Sequence, residues 1–169
     1  IAELTLASLK QAIDKYDEEL FFSDKLLALL VAALRAGDGK NFIILRGISG
    51  TGKSRLVSAV AKAVYGSAAV DRPHLTILEV RPDWTDGAPL LGHFDPVGQR
   101  YIREPFLDAL IAAQSSEVPF FVGLDEMNLA RVEYYLAECL SAMESGNAIT
   151  LDTRNDPSIS ERIRWPKNL

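Results

Sequence analysis

The sequence has a single cysteine, Cys139, only two histidines, His74 and His93, and two methionines among 169 residues. A lone thiol cannot close an internal disulfide, and one cysteine with two histidines falls short of the four ligands of a structural zinc site. The expected compartment is therefore a reducing cytoplasm. Long apolar runs are missing too: the longest, residues 26–34, has nine residues, against the roughly 20 that span a bilayer. It lies too far from the N-terminus, behind too many acids, for a secretory leader, so no membrane partner is expected. Eleven glycines and eight prolines are too few for a low-complexity or collagen-like chain. Positive charge is also short, with 18 Lys and Arg against 23 Asp and Glu, a net −5. Such a field repels a phosphate backbone and disfavours a free-standing DNA-binding domain. The surplus acid lies late in the chain: residues 1–85 carry 11 basic and 10 acidic side chains, the rest 7 and 13.

What is present is ordinary globular composition, 48% hydrophobic and 24% charged, at a length expected of one domain. Residues 1–36 predict a helical lead-in of two helices. Leu6, Leu9, Ile13 and Tyr16 share one face, and Ser23 or Asp24 caps a leucine-rich stretch that Gly37 ends. Residues 41–46 form a short apolar run between glycines, the pattern of a strand buried on both faces of a parallel sheet. Leu56, Val57, Val60, Ala61 and Val64 then recur at helical spacing up to Gly66. Residues 75–80 predict a strand, Asp95 to Gly98 a hairpin turn, residues from Phe106 a helix, 120–124 a strand and 129–144 a helix closed by Gly146. This alternation predicts a parallel α/β sheet with helices on both faces.

Between the first predicted strand and its helix lie Gly47, Ile48, Ser49, Gly50, Thr51, Gly52, Lys53 and Ser54, the phosphate-loop pattern G-x-x-x-x-G-K-[ST] in the context its mechanism needs. Its glycines let successive backbone N–H groups turn inward around a phosphate, and the positive end of the following helix adds to the field. Lys53 reaches the β- and γ-phosphates, Ser54 is a ligand for Mg²⁺, and Arg55 is assigned to the nucleotide-binding set with the loop. A chance match in a chain of this size has a probability of roughly 1%. The second requirement is an acid at the end of a neighbouring strand. Residues 120–124 run into Asp125 and Glu126: Asp125 supports the metal with Ser54, and Glu126 polarises the attacking water. Gly123 is unexpected in a central strand. Asn128 is read most simply as the N-cap of the helix that follows, with nucleotide sensing as the alternative. Cys139 is read as core.

An Asp–Glu pair on a strand separated by another strand from the phosphate-loop strand resembles the AAA+ branch of P-loop NTPases. Leu124-Asp-Glu-Met-Asn-Leu-Ala-Arg-Val-Glu133, the loop with its continuation to Leu56, Arg81-Pro-Asp-Trp-Thr-Asp86 and Leu90-Leu-Gly-His93 resemble the dynein-related and McrB-like group. The resemblance covers residues 15–169. It implies a three-layer αβα core over residues 37–169, with a β-hairpin inserted around 92–103 that often faces the pore of a ring. It further implies Mg²⁺-dependent hydrolysis of ATP or GTP by a homo-oligomeric, hexameric ring. In McrB-like systems such a ring works with a McrC-like nuclease subunit and handles DNA through other domains or subunits. Related rings of the MoxR and dynein type remodel proteins instead, and a small P-loop phosphotransferase is the reading from a different class. In that group, a strand with a polar sensor, an arginine finger and a lid follow the segment matching residues 164–169. None can be assigned here, so the core is expected to be incomplete at its C-terminus.

Overall fold

The computed structural model describes residues 2–37, 42–48 and 50–169. The N-terminal helices form as their patterns predict. Helix α1 (Leu6–Tyr16) is opened by Thr5, whose side chain accepts from the Ser8 N–H while Ser8 reaches back to the Thr5 N–H. Helix α2 (Asp24–Ala36) takes Ser23 rather than Asp24 as its cap. Helix α3 (Lys53–Tyr65) ends at Gly66 in the left-handed conformation. Leu9, Ile13, Leu27 and Val31 close over Leu56, Ala59 and Val60 of α3, so the lead-in buries one face of that helix in a shared core. Each fully buried leucine there contributes roughly 2 kcal/mol.

Strand β1 (Leu75–Glu79) follows, then a short helix α4 (Ala88–Leu91), and β2 (His93–Asp95) and β3 (Arg100–Ile102), paired antiparallel as the predicted hairpin. Helix α5 (Pro105–Gln114) leads to β4 (Phe121–Asp125), which lies parallel to β1 with Leu75 opposite Phe121 and Glu79 opposite Asp125. The ladder closes with the Phe121 N–H on the His74 carbonyl at 2.8 Å and the Val80 N–H on the Asp125 carbonyl at 3.0 Å. A second core gathers Val80, Leu90, Phe106, Leu107, Leu110, Tyr135, Leu136 and Cys139, which sits in the core as expected.

Three expectations are corrected. Among the described residues the sheet is a two-stranded parallel pair, β1 with β4, plus two antiparallel pairs, so the fold is mixed α/β without an extended parallel sheet. Among the described residues, 42–46 pair with no strand, and Asn41 lies outside the described residues. Phe42 and Ile44 are 42% and 70% exposed, where a strand covered on both faces would bury them. The physical reason is that, among the described residues, no strand pairs with this segment: it and β4 line a common cavity of about 950 Å³. The predicted helix over 129–144 is broken into a 3₁₀ turn (Met127–Leu129), α6 (Val132–Tyr135) and α7 (Ala137–Ser145). Tyr135 is buried, donates from its hydroxyl to the Met127 carbonyl at 3.2 Å and meets Trp84 edge-on, so tertiary packing overrides the helical period. An antiparallel pair not expected from the sequence, β5 (Ile149–Thr150) with β6 (Arg162–Ile163), completes the chain. Among the described residues no helix is long and apolar enough to cross a membrane.

Candidate phosphate-loop site

The loop is shaped by its glycines. Gly50 and Gly52 have φ of 78° and 85°, a region that side chains rarely adopt. At Gly52 a Cβ would also come within 2.5 Å of the Leu20 Cδ1, so that side chain would have to shift. Gly52 is also the N-cap of α3 and carries no side chain to cap the helix, which leaves the first N–H groups of α3 directed at the loop. Thr51 Oγ1 donates to the Ile48 carbonyl at 2.8 Å, tying the loop to itself. The Lys53 ammonium folds over the same turn and donates to the carbonyls of Gly47 at 3.2 Å and Ile48 at 2.8 Å. Ser49 lies outside the described residues.

The acidic motif meets this loop across 71 positions of sequence. Ser54 Oγ, in the first turn of α3, donates to Asp125 Oδ2, at the C-terminal end of β4, at 2.6 Å, and both side chains are half-buried. The other carboxylate oxygen, Asp125 Oδ1, accepts from the Glu126 N–H at 2.9 Å. Glu126 turns the chain out of β4 with φ 52° and ψ 41°, an uncommon left-handed conformation for a non-glycine residue that marks a constrained corner. Lys53, Ser54, Asp125, Glu126 and Asn128 all line the cavity between the loop and β4. The cavity is also walled by apolar Val57, Ile77, Leu124, Phe106 and Trp165, with Arg35, Arg46, Lys167 and Asn168 among its remaining polar lining.

Two hard oxygen donors side by side suit Mg²⁺, which keeps several waters and takes one or two protein oxygens beside those of phosphates. Ser54 and Asp125 fit that demand. Among the described residues no group of three or more His, Cys, Asp or Glu side chains could hold a metal on its own, which a phosphate-sharing cation does not need.

Asn128 does not cap a helix: it lies inside the 3₁₀ turn, and α6 begins after Arg131 with no side-chain cap. Arg55 points away from the loop. Its Nε donates to Asp17 Oδ2 at 2.9 Å, its Nη2 bonds Asp17 Oδ1, and Glu19 lies 3.6 Å away. That hydrogen-bonded guanidinium holds the Asp17 carboxyl below its ordinary range, against the opposing effect of desolvation. Sequence reasoning missed the Asp17–Arg55 fork and the Leu20 contact with Gly52, because no local pattern links residues more than 30 positions apart. Gly123 is not a site of close backbone approach: a Cβ there would touch Val57 and Ile77 at 3.5 and 3.6 Å, ordinary contacts under α3. No protein-family model and no curated protein matches the chain.

Proposed function

We propose that the chain binds and hydrolyses a nucleoside triphosphate with Mg²⁺. The observation that carries this is the 2.6 Å contact of Ser54 with Asp125 at the mouth of a glycine loop that opens a 13-residue helix. The loop and α3 N–H groups hold the phosphates, and Lys53 exchanges its two carbonyl partners for β- and γ-phosphate oxygens. Ser54 and Asp125 hold the cation, which supplies charge neutralisation at the phosphates. Glu126 accepts a proton from the water that attacks the γ-phosphorus; the bond from that phosphorus to the bridging oxygen breaks, leaving a nucleoside diphosphate and phosphate.

The finer assignment is to the AAA+ class of McrB-like rings, on the strength of the motifs from Arg81 to Glu133. In that architecture another strand lies between the phosphate-loop segment and the acidic strand. The cavity of about 950 Å³ between 42–46 and β4 supports it, as does the edge of β4 away from β1, which among the described residues pairs with no strand. Phe121 faces β1, so Phe120 faces the other way, and its N–H donates to the Asn168 carbonyl at 2.7 Å, the first bond along that open edge. The chain then serves as a ring subunit in the cytoplasm, driving a restriction complex on DNA through other domains and a nuclease partner.

Measuring phosphate release by the wild type and Glu126→Gln tests the chemistry. Glu126→Gln should bind Mg-nucleotide as the wild type does and lose hydrolysis by about 10²-fold or more. Normal turnover by that variant contradicts the assignment of the base.

A further inference from the structure

Lys53 and Ser54 are gripped from behind at the two positions that bracket them. Arg55 lies on the first turn of α3, rotated about 100° from Ser54 and about 200° from Lys53, so its side chain leaves the loop and meets the turn that ends α1. There it forks onto both oxygens of Asp17. Asp17 is itself fixed: its N–H donates to the Ile13 carbonyl and its carbonyl accepts from the Leu20 N–H, both at 2.8 Å. On the other flank, buried Leu20 presses on Gly52. One turn, residues 17–20, thus holds α3 by a polar contact after Ser54 and an apolar contact before Lys53.

We propose that Asp17 is a positioning residue for the phosphate loop, setting through Arg55 the orientation in which the first turn of α3 meets a triphosphate. This rests on the nucleotide-binding reading above. A single half-exposed ion pair adds little to overall stability; its place beside Ser54, rather than its strength, gives it this role. The fork is specific to the planar guanidinium.

The test is calorimetric titration of Mg-ATP and Mg-GTP into the wild-type chain, Lys53→Ala, Asp17→Asn and the swap Asp17→Arg with Arg55→Glu, at a temperature where circular dichroism shows each folded. Asp17→Asn should weaken binding about fivefold, and the swap should return it to within about twofold of wild type. If Arg55 instead contacts phosphate directly, Asp17→Asn releases it and binds equally or more tightly, while the swap sets a carboxylate against the phosphates and binds worst; either result overturns the proposal. Should Asp17→Asn not fold, Asp17→Glu keeps the charge but displaces the fork, and wild-type affinity in that variant is equally contradictory. Absence of binding by the wild type overturns both this role and the nucleotide reading. Wild-type binding that Lys53→Ala abolishes and Asp17→Asn leaves intact overturns this role alone.

Discussion

Gly123 occupies the middle of β4, directly beneath Val57 of α3, with room for a methyl group at ordinary contact distance. Nothing there requires glycine, and glycine inside a strand costs about 0.5–1 kcal/mol relative to alanine. Gly123→Ala should raise the unfolding free energy from urea titration by about that amount and leave nucleotide affinity unchanged; a loss of stability would mean that β4 and α3 pack closer than this geometry. Cys139 belongs to the same scale. Burial, with Glu138 adding to it, pushes its thiol up to about 12, so almost none is thiolate at neutral pH. Iodoacetamide at pH 8 should leave the folded protein unlabelled and modify it only after denaturation, whereas rapid labelling of the native chain would place Cys139 outside the core. Asn128 shows the limit of single-residue reasoning. Its type and position suited a helix cap, but α6 starts at Val132, with Arg131 at its N-cap position, and Asn128 lies on the cavity with Asp125 and Glu126 instead.

At the scale of elements, the sequence pattern was most legible where a segment's own periodicity and end signals suffice. Helices α1, α2 and α3 and the hairpin follow from the Leu6–Tyr16 spacing, Ser23, Gly66 and the Asp95–Gly98 turn. It was least legible where a neighbour decides. Residues 42–46 have the composition of a buried strand but pair with none among the described residues, and α6 and α7 part at Leu136, where Tyr135 packs against Trp84. The hairpin also depends on a distant loop: the Tyr101 N–H donates to Asp156 Oδ2 at 2.6 Å. Asp156 is held below its ordinary range by Ser158 and then by Tyr101, and Asp95 by the N–H groups of Gly98 and Val97. Both folded values lie below those of the unfolded chain, about 3.9. Their contribution is therefore complete above that value and is lost as pH falls through the folded values. Asp156→Asn and Asp95→Asn should each lower the urea midpoint at pH 7 and differ little from wild type near pH 2. An equal deficit at both pH values would show that charge is not the cause.

At the scale of the whole molecule, the site exists because the N-terminus of α3 and the C-terminus of β4 come together 71 residues apart in sequence. Both motifs were legible in the sequence, each with its own strand or helix context. Their meeting, and the support that residues 17–20 give the loop, depend on packing that no spacing rule encodes. The helical lead-in is accordingly part of the site's foundation, joined to α3 through a shared core. If the proposed ring assignment holds, the site is completed by an arginine from the next subunit; turnover by a monomeric sample of residues 1–169 should then be very slow, and fast turnover by a demonstrated monomer would argue against the proposal. The central claim, that the glycine loop and the Ser54–Asp125 pair form one Mg-nucleotide site, is tested most directly by equilibrium titration of ATP and GTP with and without Mg²⁺. The account predicts saturable, Mg²⁺-dependent binding of at least one nucleotide by the wild-type chain and its loss in Lys53→Ala. Equal binding by the wild type and Lys53→Ala, or none by either, would contradict it.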